Sequence, residues 1–134
     1  MSTFFLGEGN IGSDPQYHEF PNGNEEPRRL LKLNVRFDNP IPVKGKDEYQ
    51  DRGGFWAPVE LWTQHAEHYA DLYQKGMRVI VQGRMVCQEW EQDGEKRVTF
   101  KVEARSIGVM PHRVLSIAIE PKGSENVPEP PDED

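Results

Sequence analysis

Residues 31–37, Leu31-Lys32-Leu33-Asn34-Val35-Arg36-Phe37, alternate strictly between apolar and polar side chains. A period of two places Leu31, Leu33, Val35 and Phe37 on one face of a strand and Lys32, Asn34 and Arg36 on the other, which suits a half-buried antiparallel sheet. The same period over 55–62 sets Phe55, Ala57, Val59 and Leu61 inward and Trp56, Pro58, Glu60 and Trp62 outward. Pro58 lacks an N–H, so this strand is expected at an edge or irregular there. A helix follows, capped by Thr63, with Ala66, Tyr69, Ala70 and Tyr73 at helical spacing and Gly76 as its left-handed stop. Two long strands, 77–91 and 97–109, join through Asp93-Gly94, a strong hairpin signal. On the second, Val98, Phe100, Val102 and Ala104 are the inward set; Gly83 on the first marks a bulge or sharp bend. Near the front, Asp14-Pro15 and Pro21-Asn22-Gly23 are turns around a short strand at 17–20. Residues 40–54 are polar and charged and predict a long mobile loop, and 115–119 predict one further short strand.

Strand, strand, long loop, strand, helix and two strands in that order predict an all-β fold of the OB type. This is a five-stranded Greek-key barrel with one helix between the third and fourth long strands. The 134 residues support one such domain, 1–119, and not two cores. The end of the chain has a different composition. Residues 121–134 hold four prolines, a single valine and no aromatic residue, too little apolar surface to offset the entropy of ordering. Residues 120–134 are therefore expected to be a disordered acidic tail.

Charge needs to be located before it is used. The net charge is −7, but Glu120 to Asp134 contributes six acids and one lysine, leaving −2 for residues 1–119. A nearly neutral body neither requires nor excludes a phosphate-binding face. No apolar run approaches the ~20 residues that span a bilayer, and no basic region precedes the short apolar patch near Met1. The single cysteine, Cys87, cannot form an internal disulfide, which suits a reduced, cytoplasmic setting.

Signatures of catalysis are weak. Gly7-Glu8-Gly9-Asn10-Ile11-Gly12 matches G-x-G-x-x-G formally, but Ser13-Asp14-Pro15 follows and cannot open the helix that would hold a pyrophosphate. His65, His68 and Asp71 lie three apart, without a further fixed ligand. No enzyme activity, cofactor or metal is expected.

The aromatic residues say more. Trp56 and Trp62 share an outward face, and Trp90 sits near the hairpin tip. Lys32, Arg36, Arg84, Arg97 and Lys101 accompany them on outward positions. Flat rings interleaved with cations match an unpaired nucleic-acid strand, whose bases stack and whose phosphates pair with positive charge. The same pattern also fits a second core or a protein interface, and the pattern alone supports both.

The string Gly9-Asn10-Ile11-Gly12-Ser13-Asp14-Pro15, followed by Pro21-Asn22-Gly23, resembles the opening of bacterial single-stranded DNA-binding proteins (SSB). The resemblance extends over about 4–110 through the order and spacing of Trp56 to Trp62, the helix, Val79 to Gly83 and Trp90. It implies an OB-fold that binds single-stranded DNA with little sequence preference and assembles as a homotetramer or dimer. By position it implies base stacking on Trp56, Trp62 and Trp90, and basic contacts at Lys75 and Arg97. The acidic tail is similar to the one through which that family recruits replication and repair proteins.

Departures are also visible. Asp38-Asn39-Pro40 stands where the family commonly has a tryptophan. Pro58, Gln64, Val86, Gln88 and Glu89 occupy positions that are often basic, and Asp132-Glu133-Asp134 lacks the apolar Pro-Phe end. These departures imply a specialised member with a flatter salt dependence. The leading expectation is a DNA-binding face of Trp56, Trp62, Trp90, Lys32, Arg36, Lys75, Arg84, Arg97 and Lys101, with Lys44, Lys46 and Arg52 on a loop that closes over the strand. The alternative is an OB-fold protein-interaction module with weak or no DNA binding.

Overall fold

A computed structural model describes residues 3–45 and 47–121. Its strands are β1 (Phe4–Ile11), β2 (Gln16–Asn22), β3 (Glu25–Phe37), β4 (Pro40–Pro42), β5 (Tyr49–Asp51), β6 (Phe55–Trp62), β7 (Arg78–Gln92) and β8 (Glu95–Val109), with helix α1 (Ala66–Leu72) before β7. The main sheet runs β1-β7-β8-β6-β3-β2, and a further β1–β3 pairing closes the first five of these into a barrel. Strands β1, β3, β6, β7 and β8 are thus the five barrel strands of the expected OB-fold, and α1 lies between the third and fourth. The seam between β6 and β8 is parallel and short, pairing Val59 with Val102 and Glu60 with Glu103.

The alternation read from 31–37 holds. Leu31, Leu33, Val35 and Phe37 are buried, and Ile11, Ala57, Val59, Val79, Val81 and Val102 meet them inside the barrel. Phe5 packs edge-on against Phe37 with ring centroids 4.9 Å apart. Ala66 of α1 is fully buried against this core, with Tyr69 and Tyr73 beside it. The Tyr73 hydroxyl donates to the Ile107 carbonyl at 2.6 Å, which fixes the helix end to β8. Burial raises the pKa of that phenol.

Several expectations are corrected. Thr63 is not the N-cap; that position is His65, and the hydroxyl of Thr63, two residues earlier, accepts from the His65 N–H. Gly76 is left-handed, at φ +93°, but it lies past the helix end. There it aims its N–H at the Ile11 carbonyl, 2.7 Å away, and so starts the path into β7. Leu61 is only partly buried and Phe55 is exposed. Val98 and Phe100 are exposed as well, because the β7–β8 hairpin continues beyond the barrel and carries its inward positions out into solvent.

The segment 40–54 is not irregular. Strands β4 and β5 pair within it, and Asp51 anchors its base by accepting from the Asn39 N–H at 2.9 Å. Residues 115–119 form no strand; a 3₁₀ turn at Pro111–Arg113 precedes them, and Leu115, Ile117 and Ile119 are exposed. The acidic tail expected from residue 120 lies outside the described residues beyond Pro121.

The bend at Gly83 is a register shift. Gln82 faces Ser106 and Gly83 faces Ala104, so the extra residue, Arg105, belongs to β8. A Cβ on Gly83 would run into the Glu103 carbonyl. Asp93 and Gly94 both have positive φ, 53° and 80°, the requirement of a type I′ hairpin turn.

Candidate nucleic-acid interface

Parity along the paired strands defines one outward surface. On β3 it carries Arg36, Asn34 and Lys32, facing Trp56, Pro58 and Glu60 of β6. On the hairpin, Trp90, Gln88, Val86 and Arg84 face Arg97, Thr99, Lys101 and Glu103. The Glu60–Glu103 rung joins the two halves, and the Lys101 ammonium reaches across it to Glu60 at 2.8 Å. The three indoles and five of the six candidate cations therefore take outward positions on the paired strands β3, β6, β7 and β8. Lys75 is the exception: it is exposed in the turn before β7, in a groove with Arg78 and Arg113.

The tryptophans differ in their settings. Trp56 is 61% exposed. The rim of its ring sits over Gly12, where any Cβ would collide with it, so the glycine of the opening string serves as a seat for an indole. Trp62, 39% exposed, is already engaged: the Arg28 guanidinium lies 4.2 Å from its ring centroid, and Phe20 packs against it at 5.5 Å. A base stacking on that side must share or displace Arg28. Trp90 is exposed on the hairpin opposite Arg97.

Most of the cations on this face have internal partners. Arg36 contacts Asp51 at 3.0 Å, which ties the β4–β5 hairpin to the barrel, and also donates to the Phe37 carbonyl. Arg84 contacts Glu103 at 2.9 Å. Lys101 and Glu60 are the least exposed of these pairs, with side chains 19% and 14% accessible. Two carboxylates directly opposite one another on adjacent strands repel, and Arg84 and Lys101 each neutralise one of them. Among the described residues, Arg97 has only a long contact to Glu95, at 3.8 Å. Lys32 is partly buried between Gln16 and Glu60 in the register.

Three features were not singled out from the sequence: Arg28 over Trp62, Gly12 beneath Trp56, and the Glu60–Glu103 rung. The opening string contained Gly12, yet no local signal links it to residue 56. Likewise, Glu60 and Glu103 meet only through the parallel seam.

Comparison with known proteins decides the family. The model of the single-strand binding protein family matches residues 1–110. The chain belongs to the single-strand binding protein family. The single-stranded DNA-binding protein of Corynebacterium glutamicum is 35% identical over 101 residues, 75% of this chain and 43% of that protein. The chain spans about half the length of the curated relatives it matches. A small single-stranded DNA-binding protein from Streptomyces coelicolor has a similar fold, with a TM-score of 0.70, 19% identity, and coverage of 84% of this chain and 98% of that one. The wild-type single-stranded DNA binding protein of Thermus aquaticus gives a TM-score of 0.61 at 27% identity, covering 84% of this chain and 52% of that one. As a member of the single-strand binding protein family, this chain carries the family's barrel with a face on which carboxylates hold three of the cations.

Proposed function

We propose that this chain binds single-stranded DNA with little sequence preference and without catalysis. Bases stack on Trp56, Trp62 and Trp90, while Arg97, Lys32 and the cations released from their carboxylates meet phosphates. One observation carries this reading: three exposed indoles take outward positions, interleaved with cations, on neighbouring strands of an OB barrel and its hairpin arm. Lys75 extends the positive surface near the α1 end. In this reading the β4–β5 hairpin, bearing Lys44 and Arg52, flanks the strand. Assembly into a tetramer or dimer belongs to the same proposal, supported by Phe4, Leu6 and Ile80, which expose apolar side chains on the outer face of β1 and β7. Recruitment of replication or repair proteins is assigned to the acidic segment that begins at Glu120.

Tryptophan fluorescence during titration with oligo(dT) tests the proposal. Stacking predicts strong quenching that weakens as salt rises. An unchanged signal at low salt favours the second reading, a protein-interaction module with the same barrel, to which the internal ion pairs of Arg36, Arg84 and Lys101 lend support.

The Lys101–Glu60 pair yields a further expected result. Glu60→Gln removes the anion and frees Lys101 for phosphate. Affinity for oligo(dT) at low salt should rise by roughly 5-fold, and the slope of log K against log salt should steepen by about 0.7, the value for one additional phosphate contact on a single strand. Equal affinity and slope for variant and wild type would show that Lys101 does not reach the strand.

A further inference from the structure

Strands β6 and β8 are paired only at Val59–Val102 and Glu60–Glu103. Before that rung they diverge. Residues 55–58 stay paired to β3 and residues 95–101 to β7, but among the described residues no backbone hydrogen bond joins the two segments. The opening is a groove of about 630 Å³, in the size range of clefts that take small planar ligands (~300–1,000 Å³). Trp56 and Pro58 form one wall; Met85, Val98, Thr99 and Phe100 form the other. Among the described residues, no charged side chain lines it.

Val98 and Phe100 are 53% and 54% exposed although their strand parity matches that of the buried Val102. Neither the barrel nor α1 covers them. Phe100 adds a flat ring across the groove from Trp56, and the Thr99 hydroxyl adds one polar group at the lip. The strand margins contribute backbone groups without a ladder partner, which can hydrogen-bond the edge of a ring inserted between them.

We propose that this groove is a separate base-binding slot, in which an unpaired nucleobase of the strand that stacks on Trp56 inserts against Phe100. The inference rests on the DNA-binding reading above and deepens it. Continuity decides the occupant, because Trp56 is both a wall of the groove and a ring of the outward face. Charge agrees: an apolar, uncharged lining suits a base and offers nothing to a phosphate, which the cations on the neighbouring surface serve. The slot thus adds stacking without adding salt dependence.

The test compares oligo(dT) binding by the full chain and by Phe100→Ala at several salt concentrations. The expected result is about 5- to 10-fold weaker binding with an unchanged salt slope, since a ring is lost and no phosphate contact is. Phe100→Leu, which keeps an apolar side chain and removes the flat ring, should lose a similar factor and serves if the alanine variant does not fold. A wild type that binds, with both folded variants within 2-fold of it, overturns the slot and leaves the DNA-binding reading intact. A wild type that does not bind oligo(dT) overturns both. An oligomer that dissociates on Phe100→Ala, with binding per subunit unchanged, also overturns the slot and marks the groove as a contact between copies.

Discussion

Combining Trp56→Ala with Trp90→Ala is expected to abolish measurable binding of oligo(dT) at moderate salt while leaving the barrel folded. Each ring contributes about 1–3 kcal/mol by stacking, or roughly 5- to 150-fold per variant. The two lie on different elements, so their losses should nearly add. Trp56 should be the larger of the two, because its ring is held in place over Gly12 before any base arrives and little ordering entropy is lost on binding. Trp62→Ala should cost less, since Arg28 already covers that ring and a base gains only the difference between two stacking partners. Titration by fluorescence anisotropy, with circular dichroism as the control for folding, checks the order. Loss of the folded signal in Trp56→Ala would show that the ring supports the barrel rather than a ligand.

Arg78→Met should have the largest effect on stability, about 2–3 kcal/mol, read as an earlier midpoint in chemical denaturation. The guanidinium of Arg78 donates to both carboxylate oxygens of Asp38, at 2.6 and 2.7 Å, and to Glu8 at 2.7 Å. It therefore joins β7 to β1 and to the chain just after β3 at a half-buried site. Removing it leaves two carboxylates without their cation. The hydrogen bonds from Arg78 hold the Asp38 carboxyl below the usual carboxylate range. A pKa lowered by folding means that this stabilisation is complete above the unfolded value of ~3.9 and is lost as pH falls through the folded value. Wild type and Arg78→Met should differ clearly at pH 7 and converge toward pH 2. A gap that persists at pH 2 would assign the loss to packing of the arginine stem instead.

The barrel was legible because its signals are local. Strict alternation over 31–37, the Asp93-Gly94 turn and Gly83 each specify structure within a few residues, and each is present. The outward positions of Trp56 and Trp62 follow from the same period of two. What failed depended on where a strand leaves the barrel. Val98 and Phe100 have the parity of Val102, but parity does not say where the core ends, and the hairpin arm outruns it. The segment 40–54 looked loop-like because its strands are three residues each and rely on Asp51 to hold them. Residues 115–119 alternate well yet form no strand, since a pattern proposes a strand and only a neighbouring edge completes it. The partners of Arg36, Arg84 and Lys101 lie 15, 19 and 41 residues away in sequence. For Lys101 the pairing exists only because the barrel closes through a parallel seam.

That seam carries a hazard for the molecule in crowded solution. Where β6 and β8 part, each presents an unpaired margin, which is a template for edge-to-edge aggregation with other chains. Pro58 stands on one margin with no N–H to offer an incoming strand, and Lys96 and Arg97 place charge along the other. A proline that adds little to the barrel's interior thus acts as a guard on solubility. Replacing it with valine, the more natural strand former, would make the chain stickier.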